Sequence, residues 1–375
     1  MTFLVFNSKY HNFTFMTFRD KLQEKWAEEY ISFGKPGILH LCPRAGKIRT
    51  SIRIFNKEEK LLGAKPRILI AYPDKNIQQS WEDDIQAVKY NNPFIEYVTH
   101  ISLAKVANNG YDVIVCDEIH LLSANQKIQF KKLMKNNPKA KIIGLSGTLS
   151  EKTELELRTE LKLPVITNYT LSEAINDGII SDYRINVVRV ELDNQIIVDV
   201  KKKKTEKAKY RAITWVIENK GQSLFLSLAR MRIVHNSISK IAMTKRILNK
   251  LQGERVLVFC ANNEVAKELG CKIHTSKFHN QEEFEKFIGD TSKHSHYAVC
   301  KIGNTGVSFK SLSYIIINAF DSNSENLTQR ICRSLILDEK DKVSTIYVVT
   351  SDEKAELKWL EKSLEFFDKE KIKYL

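Results

Sequence analysis

The sequence predicts an α/β protein built from two parallel-sheet domains, with a helical, lysine-rich insertion between them. Short runs of continuously apolar residues recur along the chain, as in parallel strands that helices cover on both faces. These runs alternate with helical segments in two separate blocks, which indicates two α/β domains. The length of 375 residues also exceeds what one core usually organises.

Eight strands are predicted, four in each block. The first four are GILHLC, RILIAYP, DVIVCDE and KIIGLSGT, and the second four are RVLVFCA, HYAVCKI, YIIINAF and TIYVVTS. Segments between them, such as NKEEKLLGA, QQSWEDDIQAVKY and NEVAKELG, have helical patterns. Apolar residues at helical spacing in DEKAELKWLEKSLEFFDKEKI predict a closing helix.

The middle of the chain has a different pattern. From about residue 194 to residue 250 the strand signal disappears, and KKKKTEKAKYRAITWVIENK and SLARMRIVHNSISKIAMTKRILNKL predict helices rich in lysine and arginine. The predicted boundaries are therefore 1–193 for the first domain, 194–250 for the insertion and 251–375 for the second domain.

The bulk composition restricts the class of protein. A formal net charge of +14 favours a polyanionic partner, nucleic acid first, although a lysine-rich solubilising surface explains it about equally well. Six cysteines without a C-x-x-C pair predict a reducing intracellular compartment, and neither a disulfide framework nor a zinc site. No apolar run approaches the roughly 20 residues that span a bilayer. We expect the opening MTFLVFNSKYHNF to be mature sequence, not a leader.

The stretch YDVIVCDEIHLL carries the clearest chemical signal. Asp117 and Glu118 follow a buried strand, and ligands bind at the carboxyl edge of open parallel sheets. One carboxylate can hold Mg²⁺ through water while its neighbour polarises an attacking water. His120 is placed to sense the state of the site. An acidic loop after a strand is the alternative, and it is common for Asp-Glu alone.

The stretch LHLCPRAGKIRTS has part of a phosphate-binding loop. Lys47 stands where a buried strand should turn into a helix, and can reach outer phosphates while the amides of residues 44–47 cradle them. The general pattern G-x-x-x-x-G-K-[ST] is met only in part, because Leu41 takes the first glycine position and Ile48 the last. Asp117 and Glu118, about seventy residues later, strengthen the interpretation of this stretch as a phosphate-binding loop.

Two later stretches can complete such a site. Ser146 and Thr148, in GLSGTLS, follow a strand and can bond to the acidic pair. Arg330 and Arg333, in ENLTQRICRSLI, lie three residues apart and would share a helix face, where one can serve as an arginine finger. A plain turn in the first stretch and a surface basic helix in the second are the alternatives.

These stretches, in this order, resemble the motifs of superfamily 2 helicases and translocases of the DEAD/DEAH-like kind. CPRAGKI resembles motif I, VCDEIH motif II, LSGT motif III and QRICR motif VI. RILIAYPDKNIQQSWEDDI, VTHISLAK, RVLVFCANNEVAKEL and KIGNTGVSFKSLSYIIIN are similar to motifs Ia, Ib, IV and V. The size and the P-R-A-G-K form resemble compact phage-type DNA helicases. The resemblance implies two RecA-like domains, with ATP between them and a nucleic-acid strand across both.

The resemblance also implies roles for individual residues. The catalytic set is Lys47, Asp117, Glu118, Arg330 and Arg333, with Asp117 as the Mg²⁺ ligand. The ATP-binding set is Pro43, Arg44, Ala45, Gly46, Lys47, Ile48, Gln329 and Gln23. The last, in FRDKLQEKW, is the candidate adenine reader, although a helix-surface position is the stronger interpretation of that glutamine.

Two further sets concern coupling and nucleic acid. The coupling set is His120, Ser146, Thr148 and Gly306. The nucleic-acid set is Pro73, Lys75, Thr99, Ser102 and Thr305 from the resemblance, together with Lys201, Lys202, Lys203 and Lys204 from the basic insertion. For these four lysines a solvated linker is an equally good interpretation.

Three positions depart from the family pattern. Arg44 replaces a loop glycine, and Ile336 replaces an arginine often found at the end of motif VI. Ile48 is the most serious, because the missing hydroxyl is usually a direct Mg²⁺ ligand. Thr50 faces another side of the helix and Ser51 lies a turn deeper, so water is the better substitute.

The function that this pattern predicts is an ATP- and Mg²⁺-dependent motor acting on DNA, with hydrolysis slowed by Ile48, in replication, recombination or repair. Two alternatives stay open: a weakly or non-hydrolysing DNA-binding or annealing module switched by ATP, and a motor subunit of a larger restriction or replication complex. RNA also stays open as the polymer. The expected location is the cytoplasm, that of a bacterial host if the chain is phage-encoded.

Overall fold

The computed structural model describes residues 16–221, 223–275, 281–289, 295–300, 312–321, 324–338 and 342–375. The chain divides into two compact units, Met1–Ile179 and Ile180–Leu375. Each unit contains its own mostly buried parallel sheet. In the described part of the chain, no helix is both long and apolar enough to cross a membrane.

The first unit is a six-stranded parallel sheet with helices between its strands. Its strands are β1 (Gly37–Leu41), β2 (Ile68–Tyr72), β3 (Ile95–Thr99), β4 (Val113–Cys116), β5 (Lys141–Ser146) and β6 (Val165–Tyr169). Its helices are α1 (Phe18–Phe33), α2 (Lys47–Leu62), α3 (Lys75–Ala87), α4 (Leu103–Val106), α5 (Ala124–Asn136), α6 (Glu151–Glu160) and α7 (Leu171–Asn176). The strand order is β3-β2-β4-β5-β1-β6.

Sequence signals set the limits of the helices that frame the first sheet. A capping box between Thr17 and Asp20 starts α1, in which both side chains accept from backbone amides. Gly46, with a left-handed φ of 101°, starts α2, and Gly63 ends it with a φ of 67°. The central strands are entirely buried, which explains their uninterrupted apolar sequences.

The second unit has a seven-stranded sheet and a separate hairpin. Its strands are β7 (Asp182–Val190), β8 (Ile197–Asp199), β9 (Lys204–Thr205), β10 (Val256–Cys260), β11 (Lys272–His274), β12 (His296–Cys300), β13 (Tyr314–Ile317), β14 (Val343–Ser351) and β15 (Ile372–Tyr374). Its helices are α8 (Glu206–Lys220), α9 (Leu224–His235), α10 (Ile238–Lys250), α11 (Asn263–Glu268), α12 (Gln281–Gly289), α13 (Ser324–Ile331) and α14 (Lys354–Ser363). The sheet order is β11-β12-β10-β13-β14-β7-β15, all parallel, and β8 pairs with β9 antiparallel.

The fold class predicted from the sequence is confirmed: two parallel-sheet α/β domains with helices between them. All eight predicted strands are present, as β1, β2, β4, β5, β10, β12, β13 and β14. The boundaries differ, however, because β7 pairs along nine residues with β14 of the second sheet. The second unit therefore starts at Ile180 and includes residues that the sequence pattern assigns to the first domain.

The predicted insertion at 194–250 also differs from the structure in detail. The four lysines do not lie on a helix: β8 and β9 form a short hairpin, and α8 starts only at Glu206. Further on, α10 packs against β7 and β14 and so belongs to the second α/β unit. The predicted closing helix is present as α14, but the chain then adds β15 to the sheet beside β7.

Candidate active site

The topology of the first sheet brings three of the motif-bearing loops together. Strand β5 lies between β1 and β4, and all three run in parallel. The loops that follow them, at residues 42–46, 117–118 and 147–150, therefore leave the same edge of the sheet. This is the edge at which open α/β sheets bind ligands.

The loop after β1 has two residues in the left-handed region. Arg44 has a φ of 74° and Gly46 a φ of 101°. Arg44 thus adopts, where the family pattern has glycine, a conformation that costs a non-glycine residue energy. The amide of Ala45 donates to the carbonyl of Cys42 at 3.2 Å, which closes the turn just before α2 begins. Residues 43–47 keep the strand–loop–helix form of a phosphate-binding loop.

Gln23 contacts this loop from α1, so the interpretation of Gln23 as a helix-surface residue is wrong. Its side chain is 1% exposed, and its Nε2 donates to the carbonyl oxygen of Ala45 at 3.2 Å. A Cβ added to Gly46 would lie 2.1 Å from Nε2, so the Gln23 amide would have to move, and the φ of 101° favours glycine there independently. In the described structure Oε1 of Gln23 accepts no hydrogen bond, which leaves a buried acceptor at the loop.

Lys47 and the two carboxylates form the centre of the site. The Nζ of Lys47 lies 2.6 Å from Oε1 of Glu118, and both side chains are largely buried. Glu118 has a left-handed φ of 46°, and its amide donates to Oδ1 of Asp117 at 2.9 Å. The predicted convergence of these three residues is therefore present within one unit.

The electrostatics separate the two carboxylates. Burial raises the pKa of Asp117 to about 6, against the opposing effect of nearby Lys47. Burial also acts to raise the pKa of Glu118, but the charge of Lys47, with its hydrogen bond, outweighs burial and lowers that pKa. Glu118 is thus the carboxylate held ionised by Lys47, and Asp117 is the one that takes up a proton first.

Trp81 is a site residue that the sequence analysis missed. It lies in α3, is fully buried, and donates its indole N–H to Oδ2 of Asp117 at 2.9 Å. Phe55 of α2 stacks against the indole, with ring centroids 6.3 Å apart. The sequence carried only a weak signal, a tryptophan in QQSWEDD, because its partner lies 36 residues away in the chain.

His120, Ser146 and Thr148 form a buried relay next to Glu118. The hydroxyl of Ser146 donates to the carbonyl of Thr148 at 2.6 Å, so it accepts from Nδ1 of His120, which lies 2.8 Å away. The same Nδ1 lies 3.5 Å from Oε2 of Glu118. Burial lowers the pKa of His120 to about 4, so the ring is neutral near pH 7.

The residues present suit a magnesium nucleotide in all but one respect. Each oxygen of Asp117 accepts one hydrogen bond and has a lone pair left for a cation. The hydroxyls of Thr50 and Ser51 are buried and donate to the carbonyls of Gly46 and Lys47 at 3.1 Å. Thr50 and Ser51 lie two and three residues after Ile48, so neither holds the position at the start of α2 where the family pattern has its hydroxyl. Asp117 and water are the ligands left for Mg²⁺.

The predicted residues of motif VI lie in the second unit. Gln329 and Arg330 are in α13, but the helix ends at Ile331, so the expectation that Arg330 and Arg333 share a helix face is wrong. The guanidinium of Arg330 is buried over the ring of Phe259, and its Nη1 donates to the carbonyl of Ala319 at 2.9 Å. Arg333 is also buried, so a surface basic helix is excluded.

The predicted nucleic-acid residues occupy several places. Thr99 and Ser102, at the end of β3, are half-buried and their hydroxyls bond at 3.2 Å. Pro73 and Lys75 lie just after β2, where Lys75 is exposed. The four lysines 201–204 follow β8 and reach β9, with the first three exposed. Thr305 and Gly306 lie outside the described residues.

Two family models match the chain in tandem. The model described as "Type III restriction enzyme, res subunit" matches residues 2–151, and the model described as "Helicase conserved C-terminal domain" matches residues 239–337. They match the first and the second unit in the order that the motifs predict. The chain belongs to helicase superfamily 2.

Solved structures agree with this assignment at the level of fold. This superfamily 2 chain is similar, at 13% identity and a TM-score of 0.64, to the structure titled "ATP-dependent Type ISP restriction-modification enzyme LlaBIII bound to DNA", covering 99% of this chain and 32% of that one. The structure titled "S. cerevisiae Dbp5 bound to RNA and ADP BeF3" matches at 11% identity and a TM-score of 0.59, over 95% of this chain and 89% of that one.

A curated relative from Escherichia coli is the type I restriction enzyme EcoAI endonuclease subunit. It is 27% identical over 187 residues, which cover 44% of this chain and 23% of the relative. The superfamily 2 chain thus spans about a quarter of this relative and about a third of the restriction–modification enzyme of known structure.

Proposed function

We propose that the chain is an ATP-dependent DNA helicase or translocase that hydrolyses ATP to move along or remodel DNA. The observation that carries the proposal is the buried Lys47–Glu118 pair, 2.6 Å apart, beside Asp117 at the carboxyl edge of the first sheet. A structural relic would not need a lysine and two carboxylates buried together, because buried charges are costly to maintain.

Each residue of the site has a proposed role. Lys47 binds the outer phosphates, Asp117 holds Mg²⁺ through water, and Glu118 orients the attacking water. The bound Mg²⁺ supplies charge stabilisation to the transferring phosphoryl group. His120 reports the state of Glu118 to Ser146 and Thr148. Arg333 is the proposed arginine finger, with Arg330 buried beside Phe259 as a support in the second unit.

Further contacts are proposed for the nucleotide and the polymer. Gln23 is the proposed adenine reader, through Oε1, which accepts no hydrogen bond among the described residues. Residues 43–48 are the proposed phosphate-binding loop, and Gln329 of motif VI is the further proposed nucleotide contact. The proposed contacts to the polymer are Pro73, Lys75, Thr99, Ser102, Thr305 and the four lysines 201–204, while Gly306 is proposed to couple the polymer to the nucleotide.

The proposed polymer is DNA. Similar proteins include restriction enzymes, one of them in a DNA-bound structure, and the formal charge of +14 suits a phosphate backbone. Contacts to phosphate position a protein without reading sequence, so we expect no sequence specificity. One similar structure is bound to RNA, which makes RNA the necessary comparison.

The experiment is a measurement of ATP turnover with no polymer, single-stranded DNA, duplex DNA, a branched junction and RNA, side by side. We expect DNA to stimulate turnover over the polymer-free rate, with a steep loss as salt rises. Equal rates in all five conditions, above a blank, would reduce the proposal to a polymer-independent ATPase. No turnover in any of them would refute hydrolysis.

A second candidate is a motor subunit of a larger restriction or replication complex. The chain matches only about a quarter of the length of one restriction subunit and a third of a restriction–modification enzyme. This partial match favours a motor that works together with other domains or subunits. Such a subunit should elute from a sizing column with a partner chain when taken from its own lysate. Elution as a 43 kDa species with full DNA-stimulated turnover would rule this candidate out.

A further inference from the structure

Residues 196–235 form a projecting element outside the seven-stranded sheet of the second unit. We call it the basic module. It consists of the antiparallel hairpin β8–β9 followed by α8 and α9, which pack against each other. It falls between the two family matches, since one ends at residue 151 and the other starts at residue 239.

One end of the basic module is anchored firmly to the second unit. Tyr210 and Val234 pack with Leu192 in a small buried core. Glu206, at the start of α8, accepts a hydrogen bond from the hydroxyl of Ser237 at 2.5 Å and from the amide of Ile238 at 2.9 Å. These contacts hold α8 and α9 in place, so the remaining side chains of the two helices have fixed positions.

The basic module carries half of the formal net charge of the chain. Residues 196–235 contain ten lysines and arginines against two glutamates and one aspartate, a formal excess of +7 out of +14 for the whole chain. Lys201, Lys202, Lys203, Arg211 and Arg232 are exposed, and no carboxylate among the described residues lies within 4.0 Å of their charged groups. The charge of Arg211 acts on the nearby carboxylate of Glu353, so the three lysines and Arg232 are the cations open to an anionic partner.

Large apolar side chains are exposed among these charges. Trp215 is 56% exposed, Phe225 75% and Leu224 78%. Trp215 lies one turn after Arg211 on α8, and Leu228 lies one turn before Arg232 on α9, so each helix has an arginine next to an exposed apolar residue. The described residues include all four tryptophans, and Trp215 is the exposed one.

We propose that the basic module is a binding site for single-stranded nucleic acid. Exposed aromatic rings stack on unpaired bases, while lysines and arginines bind the backbone, and this combination is what sequence-independent single-strand sites use. A paired duplex offers phosphates but hides its base faces, so it would engage the cations alone. A protein partner seated on apolar side chains would not need seven excess positive charges.

This inference deepens the proposed function, because the module would hold the strand on which the motor acts. Its test needs no ATP. Binding of a fluorescent oligothymidylate, of a hairpin duplex and of oligouridylate is measured by anisotropy without nucleotide, for the full chain and its variants. Failure of ATP turnover would leave this measurement unaffected, so the two proposals can fail separately.

The decisive variant is Trp215→Ala combined with Phe225→Ala. We expect at least tenfold weaker binding of both single strands, and less than twofold change for the duplex. Trp215→Phe should keep most of the affinity, because phenylalanine still stacks. Neutralising Lys201, Lys202 and Lys203 with glutamine should weaken binding of all three polymers and lower the salt dependence, by roughly 0.7 in log–log slope for each lost single-strand contact.

The matched control is Phe33→Ala, which removes an exposed aromatic ring at the end of α1 in the first unit. It should bind every polymer as the parent does. The proposal is overturned if the double variant binds oligothymidylate like the parent, or if the duplex loses affinity as much as the single strands. It is also overturned if the double variant changes only self-association or capture of a protein.

Discussion

Trp81 donates its indole N–H to Oδ2 of Asp117 at 2.9 Å. Because the amide of Glu118 donates to Oδ1, both oxygens of the proposed Mg²⁺ ligand are oriented by the protein. Trp81 belongs to α3, which begins at Lys75, a proposed nucleic-acid contact. This hydrogen bond therefore links α3, which starts at a proposed nucleic-acid contact, to Asp117, the proposed Mg²⁺ ligand.

Replacing Trp81 with phenylalanine should weaken Mg²⁺ binding while keeping an aromatic ring in the core. The lost donor favours protonated Asp117, whose pKa burial already raises to about 6. We therefore expect about fourfold more Mg²⁺ for half-maximal turnover at pH 6.5, from a lost charged hydrogen bond of about 1.5 kcal/mol, and almost no effect at pH 8.

The control for this variant is Trp26→Phe, a buried tryptophan that packs on Tyr169 in the same unit. It should lose stability without changing the Mg²⁺ requirement. An unchanged pH profile and Mg²⁺ requirement in Trp81→Phe would show that the indole is only a packing element.

Ile48→Thr should restore the metal-ligand hydroxyl at the start of α2. Thr50 and Ser51 lie two and three residues further along α2, so neither takes the place of that hydroxyl. We expect turnover to rise about tenfold or more and the Mg²⁺ requirement to fall. The matched control is Ile48→Val, which keeps the β-branched shape without the hydroxyl and should behave like the parent. Equal rates for all three proteins would mean that residue 48 does not face the metal.

Gly46→Ala should abolish nucleotide binding. The new Cβ would lie 2.1 Å from Nε2 of Gln23, at a φ of 101°. The free energy of unfolding should fall by about 1–3 kcal/mol for the strained backbone alone. Gly63→Ala, at the other end of the same helix, is the control: its φ is 67° and its Cβ would meet nothing within 4 Å. It should lose about 1 kcal/mol and bind nucleotide normally. Normal ATP binding by Gly46→Ala would remove residues 42–47 from the site.

The stability of the first unit should fall as the pH drops from 6.5 towards 4. Burial lowers the pKa of His40, His100 and His120 to about 4, so the unfolded chain takes up protons there before the folded one does. Each histidine contributes up to about 1.4 kcal/mol per pH unit in that window. Asp117 has a raised pKa of about 6, so its protonation favours the folded state as the pH falls below 6. The three histidines together outweigh this single opposing group.

Urea unfolding at pH 7.5, 6.0 and 5.0 measures this dependence. His100→Gln removes one of the three buried rings without replacing a residue of the proposed catalytic set. Because Asp117 opposes the histidines, the loss of stability between pH 7.5 and 5.0 should shrink by about a third to a half. A stability that stays flat between pH 7.5 and 5 would contradict the neutral buried state of these histidines.

The sequence predicted the strands that are buried on both faces and little of the sheet edges. β2 and β4 are uninterrupted apolar runs, because helices cover both their faces. β3 is half-exposed at one edge of the first sheet, and its segment IEYVT carries no continuous apolar signal. β7 alternates with charged residues, and its membership of the second sheet depends on a partner more than 150 residues away.

The sequence predicted the site residues that directly follow strands. It did not predict the contacts of site residues that depend on the packing of distant elements. Lys47, Asp117 and Glu118 each stand at a strand end, so topology alone brings them together. Trp81 acts through a contact between α3 and a distant loop, to which no local pattern points. Gln23 was named as the candidate adenine reader, but its burial against the loop depends on the packing of α1 and could not be predicted. The exposed aromatic residues of the basic module also carried no signal, since Trp215 fits a packed helix equally well.

The most direct test of the central claim is ATP turnover by Glu118→Gln beside the parent, with single-stranded DNA present and ATP binding measured on the same samples. The claim is that Glu118 orients the attacking water while Lys47 binds phosphate. The variant should bind ATP at least as well as the parent, because Lys47 is released from its 2.6 Å partner, and its turnover should fall by 10²-fold or more. Turnover equal to that of the parent would contradict the account.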